Sequence, residues 1–526
     1  MSDAQPLITG DPTADLPAFY AEASALSGRD RSLSMERIHI GLDALLELPG
    51  IVANRGVPRE VLVVMDDVPM RRAGEDLKEL AMRLVSSVAE VCSSSLGEPT
   101  SDGVPNSRVD SNSRVDSISR TAPLSQGDPT VRTIVLSDAH GVHTTTEMID
   151  RVKKVIGDSD VVVSVGSGTV TDITKHAVFE TESATGRQRY HVAVATANSV
   201  GAYTSELAVV TTNGVKRTVP SRLPDQLVLD TTILADTPEE YALGGIGDGA
   251  VGWCSLGDYR LAALCGMGKW EPLAPAVFLP ILRSFLRQDE SFTGGGIATA
   301  DAMARTLASA GFVMSFAGES APASGLEHVT SHMLDMAAAH HGRVIGNHGE
   351  QCGLATGLVL LAYRYLLDEF DPARIDIAGL TVDLAKAETK VRQVFDEIDP
   401  TGTMSDECWR DYSAKCEAWN EHIGEVEALL GDWDRYREDL RRFVAPPEQY
   451  LAALAATGHP LDFEDVPPGL PEAQVRWAFA NARLMRRRLS VADFLGFCGL
   501  WTDDLVDRFF AEFEEICSVI RENREG

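Results

Sequence analysis

The chain has 526 residues, 44% of them hydrophobic, with 78 acidic against 47 basic side chains and a formal net charge of −31. That length and hydrophobic share suit two domains with sizeable cores. So acidic a surface repels nucleic-acid phosphates and anionic membranes, which argues against nucleic-acid or membrane partners and requires local basic groups wherever an anionic substrate binds.

No run approaches the roughly 20 apolar residues that span a bilayer, so no membrane insertion is expected. The first twenty residues lack a basic region followed by an apolar run, and the eight cysteines form no CxxC pair or dense framework. Reduced thiols and a cytoplasmic location are the expectation.

Residues 1–57 look like a mixed N-terminal extension with one or two helices. A β-type run follows at Glu60–Met65, ending in Asp66-Asp67. From about Ala73 to Val91 the apolar residues Leu77, Leu80, Ala81, Leu84 and Val88 fall on one helical face. Residues 93–131 are rich in Ser, Asp, Gly and Pro and contain NSRVDS twice in tandem, which predicts a disordered insertion. Strand signals resume at Thr133–Ser137, then a helix over about Thr145–Ile156, then the wholly apolar run Val161–Val165 of a strand covered on both faces. His191–Ala195 and 226–230 (QLVLD) are further strands. The stretch 207–219 is a hairpin turning at Asn213-Gly214. From about Pro238 the pattern is almost wholly helical.

The reading is therefore an α/β nucleotide-binding domain over 58–237 followed by an all-α domain over 238–526, with a small-molecule site in the cleft between them. The acidic, Arg-interleaved helices at 365–445 read as solvated surface or as a face between subunits of a homo-oligomer.

The sequence GSGTVTD, with Gly166, Ser167, Gly168, Thr171 and Asp172, stands between the apolar run and a helical stretch. Glycines there let the backbone approach a ligand, and the helix start aims free N–H groups at a phosphate, so the diphosphate of NAD or NADP fits. Thr171 replaces the third glycine of the usual dinucleotide fingerprint. Asp66, at the end of the first strand, is placed to accept a bond from ribose hydroxyls.

Several ordered motifs resemble the sn-glycerol-1-phosphate dehydrogenases, within the iron-containing alcohol dehydrogenase and dehydroquinate synthase-like superfamily. They are GSGTVTDITK at 166–175, ATANSVGAYTS at 195–205, GVKRT at 214–218, GIGD at 245–248, PASGLEHVTSHMLDM at 322–336 and HGEQCGLAT at 348–356, with a weaker echo, ANARLMRRRLSVADFL, at 480–495. The resemblance covers about residues 58–92 and 132–365.

It implies a dehydroquinate synthase-like fold and an NAD(P)-dependent oxidoreductase that reduces a ketone such as dihydroxyacetone phosphate. The substrate is expected to be a polyol or sugar phosphate. A divalent metal (zinc, nickel or iron) is implied, with His328 and His348 as ligands and His332 as a ligand, neighbour or proton relay. Thr196 and Ser199 are implied near the cofactor, and Lys216 and Asp248 near the substrate, with Arg217 a further candidate for its phosphate.

Two departures stand out. Gly201 aligns where the family's metal-binding Asp is expected, leaving Glu206 or Glu327 as substitutes, and Gly252 aligns with a family Lys. The competing expectations are a sugar-phosphate cyclase that uses NAD transiently, and a nucleotide-binding relative with a degraded metal site.

Overall fold

The computed structural model describes residues 7–89, 117–121, 129–139, 141–293 and 295–525. Its first half is built on seven strands: β1 (Arg37–Gly41), β2 (Glu60–Asp66), β3 (Ser117–Thr121), β4 (Thr130–Leu136), β5 (Val161–Gly166), β6 (Tyr190–Ala195) and β9 (Gln226–Asp230). Strands β7 (Leu207–Thr212) and β8 (Val215–Pro220) form the expected hairpin beside them. The sheet order is β1-β9-β6-β5-β2-β4-β3, parallel throughout except that β3 runs against β4.

Period-two side chains explain why β2 and β5 lie in the middle. Val61, Val63 and Met65 join Val161, Val163 and Val165 in the core on one face, while Leu62, Val64 and Val162 join the core on the other. A strand apolar on both faces is stable only where helices cover both. Helices α2 (Leu77–Ser86), α3 (Thr146–Ile156) and α4 (Gly168–Thr185) supply that cover. Asp76 and Thr145 cap the first two by accepting bonds from first-turn N–H groups.

From β2 the chain steps outward to the edge strand β3 and to β4, then returns to β5 on the other side of β2. The carboxyl ends of β2 and β5 therefore frame a topological switch point, where open α/β sheets bind ligands.

Two expectations are corrected. Within the stretch 1–57 expected to be an extension, Arg37–Gly41 pairs in parallel with β9 as an edge strand of the sheet. With only Ile38 and Ile40 as apolar residues, it was too short to announce a period. Ahead of it, α1 (Leu16–Ser27) packs Phe19 and Tyr20 onto Phe312 of the helical half, at ring separations of 5.5 and 6.0 Å. Within 93–131, Ser117–Thr121 forms the edge strand β3 against β4, and β4 itself begins at Thr130. The tandem NSRVDS repeat lies outside the described residues, apart from its final Ser117.

The second half is helical, as expected. Its framework includes α5 (Glu239–Ala250), α6 (Gly252–Leu264), α7 (Gly296–Ala317), α8 (Leu326–His340), α9 (His348–Asp368) and α10 (Thr403–Glu421). Helices α5 and α9 cross backbone to backbone. A Cβ on Gly349 would fall 1.8 Å from the Gly244 carbonyl oxygen, and one on Gly247 would fall 2.1 Å from that of Gly349. Only glycine permits that approach. Among the described residues no helix is long and apolar enough to cross a membrane.

Candidate active site

Helix α4 starts where the expected turn ends. Its N-cap, Ser167, makes no side-chain bond to the first turn, and no acidic residue stands there. The first N–H groups are thus left for an anion. A Cβ on Gly168 would lie 2.3 Å from Val200 Cγ2, so this glycine also serves packing. Gly168, Thr169 and Asp172 line a cleft of about 330 Å³ between the two halves.

Asp172 accepts a bond from the Val209 N–H at 3.0 Å and pairs with Lys175 at 2.8 Å. Lys175, fully buried, donates to the carbonyls of Ala202 (2.8 Å) and Ser205 (3.0 Å). The pair fastens α4 to the 201–209 segment, so Asp172 has a holding role in addition to its place on the wall.

The other expected cofactor residues are not among those lining the cleft. Thr171 is buried within α4. Thr196 donates its N–H to the Gly166 carbonyl at 3.1 Å. Ser199 is half-buried. Asp66 ends β2 at the switch point, pairs with Lys78 at 3.5 Å and accepts the Val68 N–H at 3.2 Å. Burial raises its carboxyl above the ordinary range, against the opposing pull of Lys78.

Across the cleft, His328, His332 and Asp335 share one face of α8, and His348 opens α9. Helix α9 is capped by Asn347, whose side chain accepts from Glu350 N–H and donates to the Glu240 carbonyl on α5.

Hydrogen bonds orient the two imidazoles. Ser331 donates its one hydroxyl proton to Gln351 Oε1 at 2.7 Å, so His348 Nδ1, also 2.7 Å away, must donate to Ser331 Oγ. His328 Nδ1 donates to the buried Glu327 carboxylate at 2.9 Å. Both rings therefore turn Nε2 toward Asp248 Oδ1, at 3.1 Å for His328 and 3.9 Å for His348. Cys352, one helical turn after His348, places Sγ 3.7 Å from His348 Nε2.

Asp248, His328, His348 and Cys352 present four ligand atoms within 4.8 Å of one another. Two nitrogens, an oxygen and a sulfur at this spacing suit zinc, nickel or iron. Burial opposes ionisation of Cys352, yet His328 and His348 pull its thiol below the ordinary range. Burial likewise opposes charge on His328, yet Cys352, Asp248 and Glu327 raise it well above the usual imidazole range.

Residues 119–238 match the family model of the iron-containing alcohol dehydrogenases. A glycerol-1-phosphate dehydrogenase [NAD(P)+] of Methanothrix thermoacetophila is 30% identical over 214 residues, which cover 40% of this chain and 58% of that protein. Its namesake from Pyrococcus furiosus is 29% identical over 233 residues, covering 43% and 64%. The match thus spans less than two thirds of these relatives' length. The glycerol dehydrogenase of Schizosaccharomyces pombe shares the fold, with a TM-score of 0.50 at 14% identity over 92% of each chain.

The chain is similar to the iron-containing alcohol dehydrogenases over residues 119–238, and to glycerol-1-phosphate dehydrogenases over part of their length.

Set beside the family motifs, the structure revises the metal expectation. The carboxylate beside the two histidines is Asp248, from the GIGD segment, rather than a residue near 201. Gly201 sits in a short 3-10 turn where a Cβ would lie 3.0 Å from the Leu307 carbonyl oxygen. Neither proposed substitute takes its place: Glu327 binds the far side of His328, and Glu206 is no part of the cluster.

Gly252 faces away from the cleft, where a Cβ would meet Leu282 at 2.6 Å and Phe278 at 2.7 Å, so a lysine there would not point at substrate. Lys216 does line the cleft but is held by Asp335 at 2.6 Å. Arg217 points to α10, pairing with Glu407 (2.7 Å) and Asp411 (2.6 Å).

His332 stacks on His348 with ring centroids 5.2 Å apart and accepts a bond at Nδ1 from Arg486 at 2.9 Å. Burial holds its pKa well below the ordinary imidazole range, and the Arg486 charge adds to that. The ring stays neutral with its proton on Nε2. Cys352 and Arg486 were missing from the sequence expectations. The four-residue step from His348 was the available signal for Cys352, and the RRR run at 486–488 for Arg486.

Proposed function

We propose that this protein is an NAD(P)-dependent oxidoreductase that reduces a small phosphorylated ketone, dihydroxyacetone phosphate being the first candidate, to the corresponding polyol phosphate. The observation that carries this reading is the facing arrangement of two half-sites. An unclaimed helix N-terminus at the sheet's switch point opens on the same cleft as the Asp248–His328–His348 donors.

Bound in these places, a divalent cation supplies Lewis acidity at a carbonyl oxygen and the nicotinamide supplies hydride. The chain's own residues do the rest. The first turn of α4 holds the cofactor diphosphate through its N–H groups, and the Asp172–Lys175 pair keeps the neighbouring segment in register. Glu327 and Ser331 hold the two histidines with Nε2 facing Asp248. His332 keeps a proton at Nε2 for an oxygen developing charge in the cleft. Val200, Leu207, Val209, Met314 and Met336 give the walls an apolar lining that excludes water.

The three-member Asp-His-His set weighs against a degraded relative. The cyclase reading predicts tightly retained NAD that is regenerated in every turnover. The deciding assay is NADH and NADPH oxidation with dihydroxyacetone phosphate, on protein whose metal content is measured in the same preparation. Metal-dependent, stoichiometric oxidation supports the dehydrogenase. Bound metal and nucleotide without net oxidation would sink it.

A further inference from the structure

A chain of net charge −31 that takes an anionic substrate must concentrate positive charge in its cleft. The cations first expected to do so are already committed, Lys216 to Asp335 and Arg217 to Glu407 and Asp411. Two other arginines, from the far end of the chain, stand behind that wall and bond to side chains that line it. Arg486 adopts an extended backbone, φ −132° and ψ 151°, after a short 3-10 turn. In extended chain, alternate residues share a face. Arg487 accordingly points to solvent, while Arg486 and Arg488 are largely enclosed.

Their contacts lead into the cleft. Arg486 donates to His332 Nδ1 at 2.9 Å. Arg488 donates to Ser320 Oγ at 3.0 Å and Ser324 Oγ at 2.7 Å. His332, Ser320 and Ser324 all line the cleft wall. Behind Ser324 a cavity of about 40 Å³ lies beside both guanidinium groups, lined also by Lys415 and Arg483 and by the carboxylates of Asp258, Glu319 and Asp493.

Among the described residues no carboxylate comes within ion-pair distance of either arginine. Asp258, Glu319 and Glu327 act on Arg488, and Asp411 on Arg486, only from further away. The Nε–H of each is buried and unbonded. Burial without a paired acid lowers both guanidinium groups, Arg486 to about 9. Two enclosed cations with spare donors and hydroxyl neighbours are an incomplete hydrogen-bonding set that a tetrahedral oxyanion would complete.

We propose that Arg486 and Arg488, with Ser320 and Ser324, form the phosphate-binding subsite of this cleft. His332 bridges the two places, stacked on His348 at 5.2 Å and bonded to Arg486 at 2.9 Å, so a substrate whose carbonyl lies at the Asp248–His328–His348 donors would extend its phosphate past His332 toward the arginines. The inference rests on the dehydrogenase reading for its substrate but not for its anion.

The test uses the full-length, metal-replete protein and two readouts. One is calorimetric binding of inorganic phosphate. The other is the ratio of kcat/KM for dihydroxyacetone phosphate to that for unphosphorylated dihydroxyacetone. Arg486→Gln and Arg488→Gln are each expected to weaken phosphate binding roughly ten- to a hundredfold and to lower the ratio by a similar factor. A purely structural role would depress both substrates together and leave the ratio unmoved.

Arg488→Lys should recover part of the loss, and it carries the test should Arg488→Gln fail to fold. Phosphate affinity unchanged in folded variants, or no phosphate binding by the wild-type chain, overturns the subsite even if dihydroxyacetone phosphate turns over. Loss of phosphate binding in the variants, with no turnover by the wild-type chain, upholds the subsite and overturns the proposed reaction instead.

Discussion

Asp248 Oδ1 stands 3.1 Å from His328 Nε2, eighty positions along the chain, with His348 Nε2 3.9 Å away on the other side. Asp248→Asn and His328→Ala are therefore expected to cost well over a hundredfold in metal affinity, beyond the roughly 10–100-fold typical of outer-sphere partners. Metal per chain, measured by elemental analysis after dialysis, should fall from near stoichiometric to trace. NADH fluorescence on binding should persist, because the α4 N-terminus is untouched.

Glu327 is buried, accepts the His328 Nδ1 proton, and takes the Gly325 N–H at 2.6 Å. Glu327→Gln keeps the shape but weakens the bond that orients the ring. Competition with a chelator should show a loss of about 10–100-fold in metal affinity, with circular dichroism unchanged.

Gly247→Ala tests the crossing of α5 and α9. Its Cβ would stand 2.1 Å from the Gly349 carbonyl oxygen, so the helices must part. Overpacking of this kind costs about 1–3 kcal/mol. Because Asp248 and His348 adjoin the contact, thermal stability and metal content should fall together. Loss of stability with full metal retention would contradict the link.

The fold was readable where a single stretch carries its own period. The apolar runs of β2 and β5 announced a doubly covered sheet, and QLVLD and the Asn213-Gly214 hairpin lie where their residue types place them. The donors were harder to read. His328 and His348 sat in recognisable motifs, but Asp248 reaches them only through the glycine crossing, a contact with no local signature. A motif alignment placed the missing carboxylate at Gly201, although the chain still carried one in GIGD. Arg486 and Arg488 were hidden for a related reason. A run of three arginines looks like solvated charge until an extended backbone turns its first and third members inward.

Gly201→Asp follows from that correction. Leu307 O and Gly311 N would lie 3.0 and 3.3 Å from the new Cβ. The substitution should lower stability by about 1–3 kcal/mol and leave the metal count unchanged. A second metal equivalent, or tighter binding of the first, would restore the original expectation.

Asp258 gives a pH signature. Burial and the nearby Glu327 raise its carboxyl from 3.8 to about 7, despite bonds from Tyr363, Val491 N–H and Leu326 N–H. The folded chain therefore holds a proton that the unfolded chain releases between those two values. Stability must decline as pH rises through that window, and level off above it. The rise corresponds to something on the order of 4 kcal/mol. Asp258→Asn lacks this decline but loses a backbone acceptor, costing about 1–3 kcal/mol. Melting curves should show the variant below wild type near pH 4 and the order reversing as pH approaches 7. Parallel curves would rule the effect out.

Since the glycine crossing joins α5 to α9 through main chain, the spacing of Asp248 and His348 is a property of one rigid scaffold. The turn proposed to hold the diphosphate belongs to the α/β half across the cleft. Any opening of the cleft would then alter the reach between the proposed nucleotide and substrate places without separating Asp248 from His348. Under the proposed function, the kinetic signature of such a division of labour would be two separate clocks: an ion that exchanges slowly, and a dinucleotide that comes and goes with every catalytic cycle.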